Sequence, residues 1–234
     1  MVGIKGWSRE ATEPKKAYHH GDLRNAIITE ATARARADGE KAIILREIAP
    51  QLGVSATAAY RHFTNRQQLV EEVSAKGFEA MVDWVAAESV PGAEAAPGLA
   101  AYVELRNAAT AVVDFTAAET AWARMMIETL GASEVVAAAA DRVRVLLQEI
   151  IDRGIAAGVF RPGTEVGAAR VFWAGIDGLC SQVMFRVLPQ DDDAARSATA
   201  RTLDLCMTDL LTEEGARVRE AVTLPDGIVT ELPD

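Results

Sequence analysis

The stretch from Leu45 to Phe63 constrains this chain more than any other. Its apolar spacing fits two short helices, and Gly53 falls where the first of them must stop. Glycine takes a left-handed backbone at little cost, so a helix can end there and turn sharply. Ser55, two residues on, can cap the next helix by accepting a hydrogen bond from a free backbone N–H. A helix, a Gly-containing turn of three or four residues and a second helix make up the helix-turn-helix unit, whose second helix enters the major groove of DNA.

A step of 100° per residue along that second helix puts Ala59 and Phe63 on one side, facing a small core. Thr57, Ala58 and Arg61 take the opposite side, flanked by Tyr60 and His62. Arg61 suits guanine or phosphate, and Thr57 and Ala58 can pack on a thymine methyl. Tyr60 and His62 suit phosphate oxygens, which position a protein without specifying sequence. Tyr60, His62 and Phe63 taken alone also fit plain packing residues of a small helical domain. The glycine turn, the serine cap and the charge distribution together favour DNA.

The 234 residues carry a net charge of −10, which at first argues against a polyanionic partner. The charge is sorted, however: residues 1–66 hold eleven Lys and Arg against seven Asp and Glu, a net of +4, leaving −14 on the rest. Local field governs how a protein meets phosphate, so a basic head on an acidic body suits contact with DNA at one end. Half the residues are hydrophobic, enough for one large or two modest cores without disulfides or metal. Residues 1–16 have no apolar run and nowhere do eighteen apolar residues follow one another, so neither export nor a membrane span is expected, and the expected location is the cytoplasm. Cys180 and Cys206 lie in apolar segments without CxxC spacing and read as packed thiols of a reducing compartment.

Catalysis lacks parts. All three histidines lie in the N-terminal arm and head, and no GxSxG or HExxH occurs, so the chain is read as a non-enzyme without cofactor. His19 and His20 adjoin Lys15 and Lys16, have no Cys or third His nearby to complete a metal site, and suit fixing the N-terminal arm.

Helix-period patterning runs through nearly the whole chain, which predicts an all-α protein: a three-helix head and a larger C-terminal helical domain. Residues 1–20 read as a loose basic arm and 21–66 as the head, its first helix capped by Asp22 and ended by Gly39. A fourth helix, 66–88, capped by Asn65, connects the head to a body spanning 67–214. Two Pro-Gly pairs within 91–98 mark a loop, after which helices are expected at 99–116, 119–130, 133–157, 165–188 and 192–211. Gly158 closes one of these, and Phe160-Arg161-Pro162-Gly163 turns into the next. Residues 215–234 read as a tail, with a weak hairpin signal at Asp226-Gly227.

The head, Tyr18-His19-His20-Gly21-Asp22-Leu23-Arg24 through Tyr60-Arg61-His62-Phe63 to Leu69, resembles the DNA-binding domain of TetR-type transcriptional regulators. Gly158-Val159-Phe160-Arg161-Pro162 followed by Phe172-Trp173-Ala174-Gly175 is similar to the C-terminal domain of one branch, where Trp and Gly sit in a helix of the dimer region. The resemblance implies a regulator, commonly a repressor, with a variable helical body that dimerises and binds a small effector. It places DNA contacts at Ala56, Thr57, Ala58, Tyr60, Arg61 and His62, with Arg46 on the preceding helix. Arg66 stands where relatives carry a lysine that meets phosphate. Ile44 and Leu45 replace the Thr or Ser that caps the second helix in relatives, and Pro50 should shorten or kink that helix.

Phe115, Trp122, Met125, Met126 and Trp173 are the candidate effector-pocket residues, and their apolar chemistry favours an uncharged or lipophilic effector. A stripe of this kind also fits plain core. Ala174, Gly175, Gly178 and Ser181 form a small-sided helix face that allows close approach by an identical helix of a second subunit, or by a helix of the same subunit. A homodimer would present two recognition helices about one DNA turn apart, matching a palindromic operator in double-stranded DNA. The alternative is a ligand-independent DNA-binding auxiliary protein on the same fold, which needs no pocket.

Overall fold

The computed structural model describes residues 23–89, 95–163, 168–187 and 192–222. The arm, the Asp22 cap, His19, His20 and the Asp226-Gly227 hairpin signal lie outside the described residues. Among the described residues the structure is helical throughout, with one isolated antiparallel bridge between Phe160 and Leu211.

The head comprises α1 (Leu23–Asp38), α2 (Leu45–Gln51) and α3 (Ala56–Tyr60). These helices enclose Ile27, Ile43, Leu45, Ile48, Ala59 and Phe63, all buried. At the turn Gly53 has φ 74°, and two crossed bonds finish α2: Gly53 N–H to Pro50 O at 3.0 Å and Val54 N–H to Ala49 O at 3.0 Å. That pairing satisfies carbonyls the helix would leave open, and it needs the left-handed glycine. Ser55 Oγ accepts the Ala58 N–H at 3.2 Å, as its position predicts. Ile44 precedes α2 without a side-chain cap, and Pro50 sits inside its final turn. Helix α3 has five residues; His62 N–H then bonds Ala59 O at 3.0 Å, so Arg61, His62 and Phe63 lie past its end.

Asn65 Oδ1 accepts the Gln68 N–H at 2.8 Å and starts α4 (Arg66–Glu88), the helix shared by head and body. The body continues with α5 (Pro97–Ala118), α6 (Thr120–Glu128), α7 (Glu134–Ala156), α8 (Ala168–Met184), α9 (Asp192–Met207) and α10 (Glu213–Ala221). Helix α5 is its axis, packed against α4, α6, α7, α8, α9 and α10. Buried Ala101, Ala108, Ala109 and Ala111 keep its surface thin enough for six neighbours. It is tied to α9 by Arg106, whose Nε donates to Asp204 at 3.0 Å with only 6% of the side chain exposed. Buried Tyr102 also donates to Asp204, at 3.5 Å. Burial, then the Asp204 charge, pushes the phenol pKa up.

Helix α10 corrects the reading of the C-terminal segment as a tail from residue 215. Thr212 caps it, accepting the Gly215 N–H at 3.0 Å, while the Thr212 hydroxyl donates to Gly158 O at 2.7 Å and its N–H to Val159 O at 3.1 Å. The Gly158 turn therefore ends α7 and also receives α10. Arg161 strengthens the junction, its Nε donating to Leu211 O at 2.6 Å.

Candidate DNA interface and effector cavity

Ser55 and Gly53 fix α3 so that Thr57, Tyr60 and Arg61 face solvent, with Tyr60 49% exposed. Arg46 on α2 is exposed as well. Ala56 and His62 are half-buried, and Ala58 packs against the core, so of the small residues on α3 Thr57 offers the most open surface. Neither Arg46 nor Arg61 forms an ion pair among the described residues, leaving both guanidinium groups available to phosphate or base edges. Arg24, in contrast, is engaged: it stacks 5.2 Å over the Phe63 ring and pairs with Glu72.

Arg66, expected to meet phosphate, is bonded within the head. Its Nε donates to Ile43 O at 2.8 Å, one terminal nitrogen to Glu40 Oε1 at 2.7 Å and the other to Glu40 O at 2.5 Å. These bonds tie the start of α4 to the turn between α1 and α2. The guanidinium thus braces the head, a geometry a lysine cannot reproduce. Arg66→Lys is expected to destabilise the protein by about 1–2 kcal/mol while leaving the salt dependence of DNA binding unchanged. Chemical denaturation and a salt titration of DNA affinity check the two halves separately.

A cavity of about 550 Å³ lies in the body, walled by α4, α5, α6, α7 and α8. Phe78, Met81, Val112, Met126, Ile176 and Met184 give it an apolar lining. Of the five expected pocket residues, Met126 and Trp173 line it; Phe115, Trp122 and Met125 do not. Phe115 and Trp122 instead join Trp84 in an aromatic cluster, with centroids 6.0 Å apart for Trp84 and Phe115 and 6.3 Å for Phe115 and Trp122. Such pairs hold helices together by edge and tilted ring contacts. Thr116 and Cys180 also line the cavity, the Thr116 hydroxyl bonding Cys180 Sγ at 3.4 Å. Burial pushes the Cys180 thiol up to about 11, which keeps it protonated and unreactive at neutral pH.

The small face of α8 divides its work. Ala174 lines the cavity, Gly175 packs against Cys206 of α9 in the same chain, and Gly178 is exposed with nothing over it. Ser181 is half-buried. Exposed Val171, Phe185 and Leu205 accompany Gly178 on α8, just past its end, and on α9.

Three contacts join the cavity wall to the connector and the head. Trp122 Nε1 donates to Val73 O of α4 at 3.1 Å. Met126, which lines the cavity, fills the space over Gly77 of α4, where any side chain would overlap its thioether. Arg36 of α1 pairs with Glu119 at the start of α6 and lies 5.9 Å over the Trp122 ring. Helix α6 therefore touches the cavity, the connector and the head at once.

A glycine-hinged helix-turn-helix carried on a helical body with an apolar cavity is the architecture of a DNA-binding regulator. Residues 27–73 match the profile of bacterial regulatory proteins of the tetR family, and residues 105–205 match a tetracyclin repressor-like C-terminal domain. The chain belongs to the TetR family of DNA-binding transcriptional regulators. Its fold is shared with a protein of unknown function from Rhodococcus sp. RHA1, at 25% identity and a TM-score of 0.68, over 85% of this chain and 100% of that one. A TetR family transcription regulator from Marinobacter aquaeolei VT8 aligns over 82% of this chain and 97% of its own, with 15% identity and a TM-score of 0.58. The TetR family regulator PfmR from Thermus thermophilus aligns over 80% and 99%, with 22% identity and a TM-score of 0.54. No curated protein matches the sequence. No helix among the described residues is long and apolar enough to cross a membrane.

Proposed function

We propose that this regulator is a homodimeric repressor that leaves a palindromic operator when a small lipophilic effector enters the body. The cavity is the observation that carries the effector half of this reading. It is large enough for a drug-sized molecule, mostly apolar, and bounded by Met126, which touches the connector helix. A ligand-independent auxiliary protein would have no use for such a space. The dimer half rests on α8 and α9, where exposed Val171, Gly178 and Leu205 offer an apolar, small-sided surface to a second copy.

Readout is assigned to Thr57 and Arg61, positioning to Tyr60, His62 and Arg46, and the close approach of α3 to Ala56 and Ala58. Few of these groups can hydrogen-bond a base, so DNA shape shares in recognition. An occupant that moves Met126 displaces α6 against α4, and differential affinity for the two head spacings then weakens DNA binding.

The test is selection of bound sequences from random duplex DNA, followed by titration of the selected site. Enrichment of an inverted repeat bound by two subunits is expected; a direct repeat or a single half-site bound by one subunit overturns the dimer reading. With that site in hand, Arg61→Ala should cost about 1–3 kcal/mol of discrimination at one base position in each half-site. Uniform weakening over all sequences instead makes Arg61 a phosphate contact.

A further inference from the structure

The polar groups of the cavity wall divide by burial. Asp141, Arg144, Arg170 and Asp177 are all exposed, and Asp141 pairs with Arg144, so water or a neighbour already serves these charges. They give no reason for an occupant to carry charge of either sign. Thr116 of α5 and Cys180 of α8 line the same cavity with only 2% and 8% exposure. Few polar groups set deep in an apolar wall fix which ligand enters and how it is oriented. The hydrogens of this pair are already committed. The Thr116 oxygen lies 2.9 Å from Val112 O and 3.4 Å from Cys180 Sγ. A hydroxyl has one hydrogen, and the carbonyl, nearer and the stronger acceptor, takes it. The Cys180 S–H then closes the second contact by donating to the Thr116 oxygen. What the pair offers the cavity is acceptor capacity: the remaining lone pair of the Thr116 oxygen and the weakly accepting sulfur.

Resting on the effector reading above, we infer that the occupant is an uncharged lipophile bearing a hydroxyl: an alicyclic or aromatic body among Phe78, Met81 and Met126, its O–H donated to the Thr116 oxygen. A carboxylate, an ether or a ketone would set an acceptor against an acceptor there. The indole N–H of Trp173, which such a ligand would need, belongs to a half-buried residue that water also reaches, so it discriminates less. An ammonium group has hydrogens to give, but no carboxylate among the described residues is buried in this wall. It would surrender its hydration without a counter-charge, whereas a neutral hydroxyl loses little beyond what the Thr116 oxygen returns.

The test compares three probes with one body: 4-cyclohexylphenol as donor, its methyl ether as neutral acceptor and 4-cyclohexylbenzoate as anion. Binding to the full-length protein is measured calorimetrically for the natural sequence, for Thr116→Val and for Thr116→Ser. The phenol is expected to bind about fivefold or more tighter than the ether, and the benzoate more weakly than either. Thr116→Val keeps the branched shape and deletes the oxygen. It should remove the preference for phenol and leave the affinity for the ether unchanged, which also shows that the variant keeps its cavity. Thr116→Ser should restore the preference. Equal binding of phenol and ether by the natural protein, tightest binding of the benzoate, or a preference for phenol that survives Thr116→Val overturns the hydroxyl assignment and leaves the effector cavity standing. Binding of none of the three overturns both.

Discussion

Asp204→Ala should lower the unfolding free energy by about 3 kcal/mol, the lower end of the range for breaking a buried ion pair, because Asp204 itself is partly exposed. The loss comes mainly from what remains behind. Arg106 lies almost wholly inside the α5–α9 seam, cannot shed its charge, and has Asp204 as its acceptor there. Tyr102 loses its partner in the same step. For a chain of this length the loss corresponds to a fall in melting temperature of roughly 6–12 °C. Asp204→Asn keeps an acceptor oxygen and should cost less than half as much. Replacing the pair together, Arg106→Met with Asp204→Leu, should recover most of the stability, since an apolar pair of similar volume leaves no charge stranded. A double variant as unstable as Asp204→Ala alone would mean that the seam fails for reasons of shape.

Gly154→Ala is the second large effect expected. A methyl group at that position would overlap the Phe160 ring, which is fully buried and cannot swing aside as a methionine might. Overpacking of this kind costs about 1–3 kcal/mol and occasionally more, and the rigid ring puts this site at the upper end. The cost should spread beyond α7. Phe160 belongs to the turn that seats Thr212 and α10, so hydrogen exchange should quicken through Glu213–Ala221 before the rest of the body. Protection of α10 left intact in the variant would separate the two features.

The head was legible because each of its instructions is local. Gly53, Ser55 and Asn65 act on backbone groups two or three residues away, and the structure places all three where their chemistry demands. The body's helices were legible for the same reason, since apolar period and the Gly158 stop are short-range signals. The bracing bonds of Arg66 were not legible because its partners, Glu40 and Ile43 O, lie more than twenty residues away and nothing in its own neighbourhood announces them. The cavity was half legible. Met126 and Trp173 line it, whereas Phe115, Trp122 and Met125 share their composition and spacing yet turn to other neighbours. An apolar residue on a helix looks the same to the sequence whether it faces a neighbour or a void. Helix α10 was hidden by its nine-residue length, its charged surface and Gly215, a poor helix former that is needed because the Val159 carbonyl crosses directly over it.

Met126 has two tenants with a claim on the same thioether: the cavity it lines and the bare backbone of Gly77 it covers. A larger residue at 126 would take up cavity space and press on the connector at Gly77, and a bulkier residue at 77 would push Met126 into the chamber. The size of the chamber and the seating of the connector therefore cannot drift independently: a change in either one is a change in both.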